Sequence, residues 1–365
     1  MTRCIALLAL LLALVAALSG CGGGSDDEAP ASAQDPFFGI APVEVPTSAD
    51  FTRMAAGGIG SYRVVLGWPT IEATQGTYDW AGIDVIVGEL ARNGMEPLPA
   101  VIGTPSFYAP EPRIPPTSSD EALDAWAKFL EAAAERYGPG GAFWEEFAQS
   151  DPDVPPQPMR LWEIWNEPNS SLFWEPRPDP EEYATLLGRS AEALQGVDPD
   201  AEIMTGGIFA TPQSDGAIVS YDFLDQLYRA EGSADVIDVV GIHPYGPTVE
   251  SVIEQLDRTR KAIDGSGDDA SLYVTELGWG SDPKVPNDLA KSPSQQAKLL
   301  SESLTTMSEQ RERWDLDGAV WFTWRDSSDG PVGECLWCAT AGLVDPDRDS
   351  KPSWLAFTKL TGGEP

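Results

Sequence analysis

The chain has 365 residues, of which 42% are hydrophobic, and its formal net charge at pH 7 is −35. This length suffices to bury the core of one large domain and exceeds that of most small binding modules. A field this negative repels nucleic acid and anionic lipid surfaces, so neither is expected as a partner. Solubility explains the acidity, and a cationic polymer substrate is the alternative explanation.

The N-terminus has the pattern of an export signal. Arg3 supplies a positive charge, residues 5–18 form an apolar run, and the sequence Leu-Ser-Gly-Cys ends at Cys21. A run this short is typical of a signal peptide rather than of a membrane-spanning helix. The ending resembles a bacterial lipobox, which implies that residues 1–20 are removed and that Cys21 carries a lipid. An ordinary signal peptide cut nearby is the alternative.

The next segment, residues 21–35, is rich in Gly, Ser, Ala and acidic residues and has no apolar periodicity. That composition predicts a flexible tether. The folded domain is then expected over residues 36–365, in an extracytoplasmic protein that is either anchored or secreted. Contact with the membrane is expected only through the N-terminal lipid.

Apolar runs of strand length alternate with helical patterns along the rest of the chain. The predicted strands cover residues 38–41, 62–66, 96–101, 160–165, 202–206, 236–242, 272–275 and 319–323. The predicted helices cover residues 83–93, 120–137, 180–195, 220–230, 249–263, 294–313 and 353–360. Eight apolar strands with helical connections indicate a parallel sheet, and at this length they predict a closed (β/α)8 TIM barrel rather than an open doubly wound sheet. A dinucleotide-binding fold has no support, because no Gly-x-Gly-x-x-Gly follows the first strand.

Two glutamates lie at the ends of predicted strands. Glu167 belongs to the sequence Trp-Asn-Glu-Pro-Asn, and Glu276 belongs to Val-Thr-Glu-Leu-Gly-Trp. In a barrel of parallel strands these ends meet at one face, where the active sites of such barrels are built. Two carboxyl groups there can divide the roles, one ionised and the other protonated, and glycoside cleavage needs that division.

These motifs resemble the clan A glycoside hydrolases, which are retaining (β/α)8 enzymes, over roughly residues 36–360. The resemblance implies that Glu167 is the general acid/base and Glu276 the nucleophile. Arg63 would lie against the nucleophile, although a structural Asp is an alternative partner for it. Asn166 would hydrogen-bond the 2-hydroxyl of the sugar, an interaction that strengthens in the transition state.

Further residues follow from the same resemblance. His243 and Tyr245, in His-Pro-Tyr, fit a sixth-strand motif, although His243 could also be a core histidine. Trp324, or less well Trp321, fits the tryptophan beneath the cleaved sugar. Trp279 follows Glu276 and is expected to bind substrate, because aromatic faces stack on sugars.

The third strand helps to choose among the families of this clan. The cellulase-like family 5 usually has a histidine after that strand, whereas residues 100–106 here read Ala-Val-Ile-Gly-Thr-Pro-Ser. The context of Trp-Asn-Glu-Pro-Asn is more similar to the family 39 β-xylosidase-like enzymes. The resemblance therefore implies a glycosidase and leaves the identity of the sugar open.

The remaining cysteines form a Cys-x-x-Cys pair, Cys335 and Cys338. In an exported protein a disulfide that braces a loop is expected. A thioredoxin-like redox role is the alternative, although the pair does not follow a first strand. Zinc would need further ligands, and the chain has a single histidine. We expect no catalytic metal and no cofactor.

Together these observations predict a retaining glycoside hydrolase that acts on a poly- or oligosaccharide by double displacement. Its carboxyl groups should lie about 5–5.5 Å apart. A transglycosidase on the same site and a non-catalytic carbohydrate-binding lipoprotein are the rival hypotheses.

Overall fold

Strands and helices alternate through the computed structural model, which describes residues 35–211, 214, 216–333 and 335–365. The strands β1–β9 of this part are Phe38–Ile40, Ser61–Gly67, Glu96–Ile102, Leu161–Ile164, Glu202–Thr205, Ile208–Phe209, Val239–His243, Ser271–Leu277 and Leu316–Trp321. The helices α1–α11 are Ser48–Ala56, Trp68–Ile71, Ala81–Arg92, Asp120–Tyr137, Ala142–Ser150, Pro180–Val197, Ser220–Leu227, Val249–Ser266, Pro293–Glu309, Arg311–Trp314 and Pro352–Thr361. Two short 3₁₀ helices, Pro116–Ser118 and Trp337–Thr340, lie in the loops.

The strands close into a barrel in which every strand pair is parallel. The first strand, β1, pairs with β2 and also with the last strand, β9, which closes the ring on one side. The ring closes on the other side where Met204 of β5 pairs with Val239 of β7. β6 follows β5 after two glycines and pairs with the end of β7, so β5 and β6 share one of the eight barrel positions. The predicted TIM barrel is confirmed.

Apolar side chains explain why these segments form strands buried on both faces. β7 is buried along its whole length, and β2 is buried from Ser61 to Val64. Continuous apolar strands of this kind are typical of parallel sheets covered by helices. The barrel interior also holds polar groups, since Arg63 of β2 and Glu163 of β4 are both buried. Those two residues lie under the site described below.

Local capping signals fix where the outer helices begin. Ser119 caps α4 by accepting a hydrogen bond from Ala122 N, and Asp179 caps α6 just before Pro180. Such caps satisfy backbone N–H groups that have no partner within the helix. α4 and α6 then pack together, and Trp126 donates a hydrogen bond to Ser190 across their contact.

The structure differs from the predicted elements at a few places. α1 and α5 were not predicted; both are short, and α5 lies in a stretch rich in Pro and Gly. The Thr47–Asp50 capping box was the available signal for α1. The predicted fifth strand stops early because Gly206 and Gly207 interrupt it before β6.

No helix in the described part of the chain is long and apolar enough to cross a membrane. The predicted signal peptide, Cys21 and almost all of the tether lie outside the described residues.

Candidate active site

A buried arginine organises the carboxyl ends of the barrel strands. Arg63 lies in β2 and donates from Nε and Nη2 to the two carboxylate oxygens of Glu163 in β4, at 2.6 and 2.9 Å. Its Nη1 donates to Glu276 Oε1 in β8 at 2.5 Å. A guanidinium presents its donors in a rigid planar fork, so Glu163 fixes the direction in which Nη1 points. The sequence left the partner of Arg63 open. In the structure Arg63 pairs with Glu163 and also contacts Glu276.

Glu276 accepts hydrogen bonds on both of its oxygens. Arg63 serves Oε1, and the hydroxyl of Tyr245 donates to Oε2 at 2.9 Å. Burial raises the pKa of Glu276, and the positive charge of Arg63 and the bond from Tyr245 oppose that rise. These two groups stabilise the ionised form of the carboxyl group.

Glu167 follows β4 on a backbone held in an uncommon conformation. Trp165 has φ 73° and Glu167 has φ 43°, both in the left-handed region that favours glycine. Non-glycine residues there carry strain, which is typically found at functional sites. Asn169 holds the loop in place, because its amide nitrogen donates to Phe209 O and its amide oxygen accepts from Phe209 N.

His243 binds Glu167 from the end of β7. Its Nδ1 lies 2.9 Å from Glu167 Oε1, and the ring is completely buried. Its Nε2 has no hydrogen-bond partner among the described residues and faces Gly207, where a Cβ atom would come within 2.0 Å of it. Burial lowers the pKa of His243, which favours the neutral ring. With nothing for Nε2 to donate to, we assign the proton to Nδ1, which donates to Glu167.

The two strand-end glutamates come together as predicted. An atom each from Glu167, His243 and Glu276 lies within 4.8 Å of the other two. Retaining glycosidases have carboxyl groups about 5–5.5 Å apart, whereas the inverting enzymes need roughly 6.5–9.5 Å. One oxygen of each carboxyl group lies within 4.8 Å of the other, which agrees with the shorter separation of the retaining enzymes. The three groups are of metal-ligand type, but a cation would have to replace hydrogen bonds that all three already make.

The environments of the two carboxyl groups differ in charge. Burial raises the pKa of Glu167, the nearby charge of Glu276 adds to that rise, and the bond from His243 opposes it. Among the described residues Glu167 has no direct bond to a cationic side chain, while Glu276 is bonded to Arg63. When two carboxyl groups share a site, the proton goes to the one with less positive charge around it. The arrangement therefore favours a protonated Glu167 beside an ionised Glu276.

A cleft of about 1190 Å³ opens above these groups. Four of the predicted site residues besides Glu276 line it: Arg63, Asn166, Glu167 and Tyr245. Its walls come from several barrel strands and from the loops that follow them, and their side chains are largely apolar. They include Val65, Ile102, Leu172, Phe173, Phe209, Leu289, Phe322, Leu336 and Trp337.

Two predicted substrate-binding tryptophans do not reach this cleft. Trp279 is fully buried and donates from Nε1 to Gly246 O at 2.8 Å, so it supports the backbone next to Tyr245 from behind. Trp324 turns away from the barrel axis after β9, donates to Asp50 of α1 and packs edge-on against Trp354 of α11. The assignment of either residue to sugar stacking is wrong, and Phe322, which follows β9, lines the cleft instead. His243 likewise contacts Glu167 and does not line the cleft.

The predicted disulfide between Cys335 and Cys338 is present. It lies closer to the site than expected, because both cysteines line the cleft. The enclosed Trp337 packs edge-on against the ring of Tyr245, with ring centroids 5.3 Å apart. The disulfide therefore braces a part of the cleft wall that contacts Tyr245, which donates a hydrogen bond to Glu276.

The sequence reasoning missed Glu163, Gly207 and the pair Leu336 and Trp337. Glu163 had a signal, because it is an ionisable residue inside an apolar predicted strand. Gly207 N donates to Glu163 Oε1 at 2.8 Å, and no sequence pattern predicts that contact. The cleft residues of the disulfide loop lie far from any strand end, so the strand pattern could not find them.

Comparisons with known proteins find similar barrels among carbohydrate enzymes. The chain is 28% identical over 219 residues to a β-xylosidase of Geobacillus stearothermophilus, a match that covers 54% of this chain and 40% of that relative. No protein-family profile matches the chain.

Solved structures match it over most of its length. A family 39 glycoside hydrolase from Bacteroides cellulosilyticus superposes with a TM-score of 0.65 at 20% identity, over 90% of this chain and 64% of the other. A β-xylosidase from Caulobacter crescentus gives 0.61 at 19% identity, over 89% and 68%. Xylanase 10B from Thermotoga maritima gives 0.62 at 13% identity, over 89% and 94%. The chain therefore has the (β/α)8 barrel fold of these carbohydrate enzymes, among which is a member of the family 39 that its motifs resemble.

Proposed function

We propose that this protein is a retaining glycosidase that cleaves O-glycosidic bonds by double displacement. One observation carries the proposal: the carboxyl groups of Glu167 and Glu276 have oxygens within 4.8 Å of each other, and only Glu276 is bonded directly to Arg63 among the described residues. The fold shared with glycoside hydrolases agrees with this function without establishing it.

In the first step Glu276 attacks the anomeric carbon with a lone pair of its carboxylate. A bond forms between that oxygen and the anomeric carbon, and the bond to the leaving oxygen breaks. Glu167 transfers its proton to the leaving oxygen, so the aglycone departs as a neutral alcohol. Glu276 retains lone pairs for this attack, because a carboxylate offers about four acceptor sites and the described side chains use two.

In the second step Glu167 acts as a base. Having lost its proton, it takes one from a water molecule as that water attacks the anomeric carbon. The bond between the anomeric carbon and Glu276 breaks. The negative charge returns to the carboxylate, where the hydrogen bonds from Arg63 and Tyr245 stabilise it. Two inversions give net retention of configuration.

Asn166 is oriented to bind the sugar. Its amide oxygen accepts a hydrogen bond from Arg63 Nη2 at 2.8 Å. The amide nitrogen is left as the group that lines the cleft, where it would donate to the 2-hydroxyl of the bound sugar. Hydrogen bonds to this hydroxyl strengthen in the transition state and lower the barrier.

The substrate class proposed is a β-linked glycoside, because the similar proteins include β-xylosidases, a xylanase and an exo-β-1,4-mannosidase. A panel of 4-nitrophenyl β-xyloside, β-glucoside, β-mannoside and β-galactoside would identify the sugar. Transfer to an added alcohol, measured in the same assays, separates hydrolysis from transglycosylation. Binding without turnover of any of these compounds, or of xylan and mannan, would indicate a carbohydrate-binding protein instead.

Two alanine variants test the assigned roles. Glu276→Ala removes the nucleophile, so activity on an activated aryl glycoside should fall by on the order of 10⁴-fold or more. Azide should restore activity to it and give a glycosyl azide of inverted configuration. Glu167→Ala should lose about 10²–10⁴-fold on substrates with poor leaving groups, which need the proton. Azide should then give a product of retained configuration. Swapped stereochemistry would exchange the two roles, and unchanged activity would place the site elsewhere.

We also propose that the protein is anchored outside the cytoplasm by a lipid on Cys21, with the membrane contacted only by that lipid. The lipobox-like sequence supports this. Cys21→Ser should release soluble protein, and mass spectrometry of the wild type should find no residue before Cys21. Membrane retention of the variant, or an unmodified N-terminus, would refute the anchor.

A further inference from the structure

The walls of the cleft expose apolar side chains that a soluble protein would ordinarily bury. Val65 is 50% exposed, Leu172 is 42% exposed and Leu336 is 51% exposed, and all three line the cleft. Single exposed hydrophobic residues need no explanation, but a group of them in one concave site marks a surface that binds a ligand.

Leu336 is held in this exposed position by its neighbours. It lies between Cys335 and Cys338, whose disulfide closes the loop. The adjoining Trp337 is packed against the rings of Tyr245 and Phe322, which restrains the loop on the other side of the leucine. Exposure of this side chain is therefore built into the wall.

Leu172 is one of the exposed apolar residues that line the cleft. It follows the acid Glu167 in the loop after β4, and its backbone N–H is bonded to Ser170 Oγ at 3.3 Å. The next residue, Phe173, accepts a hydrogen bond from Trp165 Nε1 and also lines the cleft. The loop that carries Glu167 therefore also places two apolar side chains in the cleft wall.

Three of the polar side chains that line the cleft already have partners within the protein. Arg113 forms an ion pair with Glu175 at 2.7 Å. Ser214 shares a hydrogen bond of 3.1 Å with Ser170. Asn287 accepts a hydrogen bond from Leu289 N at 2.8 Å. A second sugar bound there would have to compete with these bonds, because its hydroxyl groups lose water on entering the cleft.

We propose that the leaving group of the substrate is an apolar aglycone, such as an alkyl or aryl group, seated between Leu172 and Leu336. The inference rests on the proposed glycosidase function and assigns its substrate class. The sugar would lie on the polar floor formed by Arg63, Asn166 and Tyr245, and the aglycone would extend up the apolar walls.

A series of alkyl β-D-glucosides and alkyl β-D-xylosides tests the proposal. Methyl, butyl, hexyl and octyl glycosides have leaving alcohols of similar acidity, so differences in kcat/KM among them report binding of the chain. We expect kcat/KM to rise by about two- to fourfold per methylene until the cleft is filled, as burial of a methylene predicts. The corresponding disaccharides should be poorer substrates than the octyl glycosides. A flat series, with disaccharides preferred, would overturn the proposal.

Variants of the wall identify the residues. Leu336→Asn and Leu172→Asn should each reduce, by severalfold, the increase in kcat/KM from the methyl to the octyl glycoside. Leu355→Asn is the matched control, because Leu355 is 50% exposed on α11 and does not line the cleft. An equal effect of all three substitutions would also overturn the proposal.

Binding is measured separately, so that failure of the chemistry can be recognised. Octyl and methyl 1-thio-β-D-glucoside and 1-thio-β-D-xyloside resist cleavage and can be titrated by tryptophan fluorescence. Tighter binding of the octyl compounds, weakened by Leu336→Asn, would support the apolar site even in a protein without turnover. Turnover of methyl glycosides with equal binding of octyl and methyl compounds would leave the glycosidase standing and remove the aglycone site.

Discussion

Glu163 and Glu276 bind different edges of a single guanidinium, that of Arg63. The two oxygens of Glu163 accept hydrogen bonds from Nε and Nη2, while Glu276 accepts one from Nη1. Glu163 is completely buried and also accepts a hydrogen bond from Gly207 N. One glutamate therefore fixes the arginine so that the other has a positive charge at a fixed position. An enzyme gains from such prearranged charge, because no reorganisation is needed during the reaction.

This relationship makes Glu163→Gln a specific test. The substitution removes half of a buried ion pair, and unfolding should become easier by about 3–5 kcal/mol. The charge of Glu163 is among the groups that raise the pKa of Glu276, so its loss should lower that pKa. Since the nucleophile must be ionised, the acidic limb of kcat/KM should move to lower pH.

Glu202→Gln is a suitable control for that experiment. Glu202 begins β5, at the opposite end of the barrel from the site, and pairs in register with Leu161. Its substitution should leave the pH profile unchanged. A profile that is equally unchanged in Glu163→Gln would mean that Glu163 has only a structural role.

His243 should set the alkaline limb through Glu167. Its hydrogen bond opposes the rise in the pKa of Glu167, so His243→Ala should raise that pKa further. The acid must be protonated, and activity is lost as the pH rises through its pKa. The alkaline limb of kcat/KM should therefore move to higher pH.

His243→Asn provides the conservative comparison. An asparagine amide reaches the position of Nδ1 and can donate to Glu167, so its alkaline limb should lie close to that of the wild type. If the alanine and asparagine variants shift the limb equally, the hydrogen bond to Glu167 is not what controls it.

Gly207 is predicted to tolerate no side chain. A Cβ atom there would lie 2.0 Å from His243 Nε2 and 2.5 Å from Thr275 Oγ1, both buried. Gly207→Ala should force His243 away from Glu167, lower stability by about 1–3 kcal/mol as overpacking does, and move the alkaline limb as His243→Ala does. Gly188→Ala is the control, because nothing lies near a Cβ atom there within α6. Calorimetric unfolding and a pH profile of both variants decide the matter; a normal profile in Gly207→Ala would show that the ring accommodates the methyl group.

The sequence predicted the parts of the site that depend on strand ends. Glu167 and Glu276 follow apolar runs, and parallel strands bring their carboxyl ends to one face of a barrel. Trp279 and Trp324 also follow strands, yet each leaves the barrel axis within a few residues. The direction of a side chain beyond a strand depends on the loop, and Trp324 is drawn outward by Asp50, which lies 274 positions away.

Variants of Trp324 and Trp337 test whether Trp324 lies outside the substrate site. Trp324→Phe removes the hydrogen bond to Asp50 and should cost about 1 kcal/mol of stability while kcat/KM stays within about twofold. Trp337→Ala removes the ring that packs against Tyr245 and should lower kcat/KM severalfold. Steady-state kinetics of both variants on an aryl glycoside give the comparison. A loss in Trp324→Phe as large as in Trp337→Ala would return Trp324 to the substrate site.

The Cys335–Cys338 disulfide should support the cleft wall without entering the chemistry. It closes a loop of four residues, for which the loss of unfolded-state entropy predicts about 2 kcal/mol of stabilisation. The double variant Cys335→Ser with Cys338→Ser should unfold more easily by about that amount. Arg63, His243 and Tyr245 lie outside the disulfide loop, so both carboxyl groups keep their partners and kcat/KM for a methyl glycoside should be retained. Leu336 would be freed, and the advantage of the octyl over the methyl glycoside should shrink. Reduction of the wild type with dithiothreitol should reproduce this pattern and leave the double variant unaffected. Loss of methyl glycoside hydrolysis in a variant that remains folded would mean that the loop takes part in the chemistry.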